Sequence, residues 1–79
     1  MRLSPDQRRA LRLLDEAEPR GATEAVMLAH GFKGELLAGL VRDSLASMAA
    51  ETITAGDQPI EVARLRITDA GRRAIRPAT

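Results

Sequence analysis

Few residues in this chain could do covalent or metal chemistry. There is one histidine, with no cysteine and no tyrosine, among 79 residues. Disulfides, thiolate zinc sites and cysteine nucleophiles are therefore excluded. His30 has no second ligand-type residue or nucleophile in a recognisable arrangement, and no glycine-rich phosphate loop or paired-carboxylate pattern stands elsewhere. The expectation is of a protein that is not an enzyme and uses no metal and no cofactor. His30 reads instead as a cation near the negative end of a short helix.

What remains is charge. Twelve basic residues, all but Lys33 arginine, face eleven acids. Their distribution is uneven. Residues 1–12 hold four arginines against one aspartate, a net +3. Residues 13–61 hold three bases against nine acids, a net −6, and residues 62–79 hold five arginines against Asp69, a net +4. Basic ends around an acidic middle bear directly on nucleic-acid binding.

The elements that carry these charges are legible from capping and periodicity. Ser4-Pro5-Asp6-Gln7 is a helix start with a cap, a first-turn proline and a glutamine placed for a capping box. Ala10, Leu11, Leu14 and Ala17 form its apolar face, and Pro19-Arg20-Gly21 stops it, which predicts a helix over 5–17. Thr23 caps a second helix over 24–30. There Gly31 suits the left-handed position beyond the end, and Phe32 suits a hydrophobic contact back onto Met27. A third helix is predicted over 34–46, with Leu36, Leu37, Leu40, Val41 and Leu45 on one side. Glu35, Ala38, Gly39, Arg42 and Asp43 lie on the other, and Gly39 there could admit a partner backbone.

Beyond it, residues 47–54 become β-branched, Ala55-Gly56-Asp57-Gln58-Pro59 is turn chemistry, and residues 60–67 alternate. Ala63, Leu65 and Ile67 fall on one face of that strand, with Arg64 and Arg66 on the other. Thr68 then caps a short helix from Asp69 to Arg76, stopped by Pro77. A single domain over 1–79 is expected. Its fold class is α+β, mainly α: three helices, a two-stranded β-hairpin and a short C-terminal helix, the order of a winged helix-turn-helix.

Two stretches carry a resemblance. Leu40-Val41-Arg42-Asp43-Ser44-Leu45-Ala46 and Ile67-Thr68-Asp69-Ala70-Gly71 resemble the end of the third helix and the end of the wing in MarR-type transcriptional regulators. Ser44 stands where that family usually has glycine. The resemblance covers about residues 22–76 and implies a DNA-binding regulator, with the third helix 34–46 and the wing 51–67 as the binding surface. Carried onto this chain, the implied DNA contacts are Lys33 and Arg42 on the helix, Gln58 at the wing tip, and Arg64 and Arg66 on the outer strand face.

A second reading rests on the same surface. Glu35 and Asp43 on the helix and Asp57 at the wing tip oppose phosphate, which suits a winged-helix protein-interaction module without DNA binding. The partner is thus double-stranded DNA or a protein. A homodimer through the first helix or the wing, with Leu3 and Leu13 as candidate exposed apolar contacts, is a further expectation. The chain has no apolar run of membrane-spanning length, MRLSPDQRR lacks a signal-like apolar region, and the Arg- and Ala-rich composition suggests a bacterial cytoplasmic protein.

Overall fold

The computed structural model describes residues 2–76. Helix α1 (Pro5–Glu16) begins as its sequence dictates. Ser4 Oγ accepts from the Gln7 amide at 3.1 Å, and the Gln7 side chain accepts from the Ser4 amide at 2.8 Å. Helix α2 (Glu24–Ala29) is capped by Thr23, and helix α3 (Gly34–Arg42) follows after a four-residue turn. Strands β2 (Ala46–Ala55) and β3 (Gln58–Ile67) form a hairpin, and α4 (Asp69–Ile75) closes the chain. Pro77, expected to stop α4, lies outside the described residues. Arg76 before it is already extended, as a residue preceding proline should be.

A strand not expected from the sequence, β1 (Ala22–Thr23), pairs antiparallel with β3 at Leu65 and Arg64. The sheet is therefore three-stranded, in the order β1-β3-β2. Thr23 serves twice, as the last residue of β1 and as the cap of α2. Gly21 makes this approach possible. It sits at φ +76, and a Cβ there would lie 2.1 Å from the Leu65 carbonyl oxygen.

The third helix is shorter than its apolar spacing suggests, ending at Arg42 rather than 46. Ser44 takes the left-handed conformation at φ 62. The Leu45 amide then donates to the Leu40 carbonyl at 2.9 Å and the Ser44 amide to Val41 at 3.0 Å. These two bonds form a Schellman closure with serine in the usual glycine position. Leu45 still reaches the core, but as the residue after the cap, and Ala46 already belongs to β2. The α2 end closes in the same way. Gly31 at φ +93 is followed by Phe32, whose amide donates to Met27 at 3.2 Å.

The core gathers Leu11 and Leu14 from α1, Met27 from α2, Phe32, Leu37 and Leu40 around α3, and Leu65 and Ile67 from β3. From β2 only Ala46 enters it. The hairpin is thus buried at its root alone, and it stretches the molecule to 50 Å along one axis against 22 and 19 Å along the others. Ten residues of strand span about 33 Å, so the hairpin accounts for most of that length. The connection is also tighter than the five residues expected. Ala55 pairs with Gln58, leaving Gly56 and Asp57 as a two-residue loop with Gly56 at φ 64 in its first position, the pattern of a type II′ turn.

The expected dimer contacts fail on burial. Leu3 is only 8% exposed and belongs to the core, and Leu13 is half-buried against it. Among the described residues no helix is long and apolar enough to cross a membrane.

Two substitutions at the hairpin root should shift thermal stability in opposite directions. In Gly71→Ala the new Cβ would fall 2.8 Å from the Ile67 side chain and 2.1 Å from the Leu45 carbonyl oxygen, which is backbone. A loss of about 1–3 kcal/mol or more is expected. Ser44→Gly relieves the left-handed strain at some cost in chain entropy and should gain about 0.5–1 kcal/mol. Chemical denaturation reads both, and a neutral Gly71→Ala would mean that α4 does not sit against Leu45.

Candidate functional site

The five residues expected to contact DNA do not form one surface. Lys33 stands at the N-cap position of α3 without a side-chain capping bond and Arg42 ends the helix, so about 13 Å separate them. Both are exposed, and neither forms an ion pair among the described residues. Gln58 follows the hairpin loop at the far end of the molecule. Arg64 and Arg66 lie six and eight residues further down β3, roughly 20–27 Å away, on the face opposite Leu65 and Ile67.

Those two arginines are already engaged. Arg64 Nε donates to Glu51 Oε2 at 2.5 Å, across the strand pair. Arg66 Nε donates to Glu18 Oε2 at 3.1 Å, joining β3 to the residues just after α1. Glu18 also accepts from Arg72 Nη1 of α4 at 2.8 Å, and Arg72 is further tied to Asp69. The hydrogen bond from Arg66, above all, and that from Arg72 hold the Glu18 carboxyl below the ordinary glutamate range against the effect of burial. One carboxylate thus clasps three elements.

On α3, the outward side carries Lys33, Glu35, Ala38 and Arg42, two charges of one sign and one of the other, with Asp43 half-buried beyond them. Gly39 was expected on this side but is buried. The Arg42 guanidinium lies over it, and a Cβ there would meet only Arg42 Nη2 at 3.5 Å. The one histidine, His30, is exposed at the end of α2 beside an open depression lined by Arg9, Arg12, Glu16 and Phe32. Arg9 is committed there, bonded to Asp6 at 2.7 Å and lying over the Phe32 ring at 5.6 Å. Among the described residues no three histidine or carboxylate side chains are placed to hold a metal ion.

The most unusual surface is the hairpin itself. Every residue from Ser47 to Glu61 is exposed. Ile53 and Ile60 stand directly opposite one another, 38% and 43% exposed, and Met48 is 41% exposed on the other face. Residues 49–64 carry three carboxylates against Arg64, a net −2. Glu51 is answered by Arg64, whereas Asp57 and Glu61 form no ion pair among the described residues. The apolar cross-strand pair at an exposed position was legible in the alternation of Thr52-Ile53-Thr54 and Ile60-Glu61-Val62, yet it reads equally as core until the helices are in place.

No protein-family model, curated protein or solved structure matches the chain.

The Glu18 clasp makes a pH prediction. A carboxyl with a depressed folded pKa stabilises the fold above its unfolded pKa, and that contribution is lost as pH falls through the folded value. Thermal melts from pH 7 to pH 3 should therefore steepen below about pH 4.3, the ordinary glutamate value. Glu18→Gln should flatten that portion of the profile. Parallel profiles for the two proteins would show that the clasp carries no weight.

Proposed function

We propose that this chain is a winged-helix domain that works as a protein-docking module, with the β2–β3 hairpin as the docking arm. The fold part of the reading is supported by the element order α1-β1-α2-α3-β2-β3-α4, by the sheet order β1-β3-β2, and by the four-residue turn between α2 and α3. The Ile67–Gly71 stretch that resembles MarR-type regulators gains a physical role consistent with this. Thr68 caps α4 through the Gly71 amide at 3.0 Å, and Gly71 lets α4 close on Leu45.

The observation that carries the functional part is the hairpin's surface. A wing that grips DNA needs free cations near phosphate, because affinity rests on displaced counterions. This hairpin offers an exposed isoleucine pair and two carboxylates with no ion pair among the described residues, and its arginines are held by Glu51 and Glu18. Apolar side chains rimmed by charge and projected on a stiff arm suit a protein partner.

One observation favours the second reading, a DNA-binding transcriptional regulator. Lys33 and Arg42, at the two ends of α3, are exposed and form no ion pair among the described residues, and α3 is the helix that would enter a major groove. Two phosphate contacts from them would make affinity fall about tenfold between 50 and 200 mM salt.

The two readings separate in a paired experiment. Tagged chain is used to capture proteins from a lysate of the source organism, and the same protein is titrated with random-sequence duplex DNA by fluorescence anisotropy. Docking predicts a captured set that disappears with Ile53→Ser/Ile60→Ser and survives Lys33→Ala/Arg42→Ala. Salt-sensitive duplex binding abolished by Lys33→Ala/Arg42→Ala, with no capture dependent on the isoleucines, would replace it with the regulator.

A further inference from the structure

The hairpin has two edges, and only one of them is guarded. Because a two-residue loop makes Ala55–Gln58 a hydrogen-bonded pair, the alternation of an antiparallel ladder makes Thr54–Pro59 a non-bonded one. The backbone groups of Pro59, Glu61, Ala63 and Leu65 then point to the outer edge of β3. That edge is blunted throughout. Pro59 has no N–H, Glu61 brings a charge, and β1 covers the root at Leu65.

On β2 the same alternation turns the backbone of Met48, Ala50, Thr52 and Thr54 outward. Nothing protects them. The strand has no proline, no lysine and a single charge, Glu51, which Arg64 already holds. Its ten residues pair one to one with β3 without a bulge, so no local twist turns the edge away. Only Ala46 of the strand is buried. An edge this long and this regular is a template for another strand.

Resting on the docking reading above, we propose that the free edge of β2 takes an extended segment of a partner protein by strand addition, and that this segment is basic. Main-chain bonds to Met48, Ala50, Thr52 and Thr54 supply affinity, as in other strand-addition complexes. Charge decides the occupant. Residues 49–64 carry a net −2, and Asp57 in the loop and Glu61 on the neighbouring strand form no ion pair among the described residues, so the field of the arm as a whole favours lysine or arginine side chains alternating with small apolar ones. A second copy of this chain would bring another hairpin of net −2 beside the first, and that like net charge opposes the pairing.

The test uses the full chain, labelled with 15N, and titrates it with the peptide acetyl-(Lys-Val)4-amide; acetyl-(Glu-Val)4-amide is the control. Saturable shifts at the amides of Met48, Ala50, Thr52 and Thr54 are expected with the lysine peptide, and none with the glutamate peptide. Ala50→Pro removes one outward N–H without touching the β2–β3 bonds and should weaken binding at least tenfold. Thr52→Pro serves if the first variant does not fold, and Arg42→Ala should bind as wild type.

Lysine-peptide shifts that centre on Ile53, Ile60 and Val62 and persist in both proline variants would overturn strand addition while leaving the docking arm intact. Edge shifts that grow with protein concentration in the absence of peptide, together with dimer in sedimentation, would make the occupant a second copy and overturn the basic partner. The absence of saturable binding by the lysine peptide would also overturn the proposal. If duplex DNA then bound through Arg42, the docking reading itself would fall.

Discussion

The β2–β3 hairpin that projects from this fold hangs on one backbone carbonyl. Leu45 O accepts the Thr68 amide at 3.1 Å, and Thr68 Oγ1 donates to the neighbouring Ser44 O at 2.7 Å while accepting from the Gly71 amide. The end of α3, the start of β2, the end of β3 and the start of α4 therefore meet within a few residues. From Ser47 to Glu61 the hairpin is exposed, so its direction is set by the knot and by Leu65 and Ile67 in the core beneath it. The Glu18 clasp ties the same region to α1 from the other side.

What could be read from the sequence, and what could not, follows the range of the interactions involved. Helix starts were legible because Ser4, Thr23 and Thr68 cap through residues three positions away. The Gly31-Phe32 stop was legible for the same local reason. The end of α3 was not, since Ser44 occupies a left-handed position without advertising it, and Leu45 keeps the apolar spacing of a helix it has already left. Strand β1 escaped notice because two residues have no periodicity and Thr23 already had a role as a cap. The roles of Arg64 and Arg66 were set by Glu51 and Glu18, which lie 13 and 48 residues away along the chain. No spacing rule reaches that far.

Neutralising those arginines changes what the surface can do. A cation held by a carboxylate contributes little counterion release when phosphate approaches, since the phosphate must first displace an existing partner. Among the described residues Lys33 and Arg42, at the two ends of α3, form no ion pair, and neither do Asp57 and Glu61 on the hairpin. The molecule is thus polarised along its 50 Å axis, a net −2 on residues 49–64 against a net +3 on the rest of the chain. Exposed Ile53 and Ile60 at the acidic end add apolar area that water alone gives no reason to place there.

The dependence of the arm on its root is tested most directly by native-state amide hydrogen exchange on the free protein. If the knot holds the fold, the Thr68 and Leu45 amides exchange only through global unfolding, as slowly as the best-protected amides of α1. The outward amides of β2 would exchange orders of magnitude faster. Fast exchange at Thr68 and Leu45, with α1 still protected, would show that the hairpin and α4 come away as a unit, and that the arm has no fixed direction.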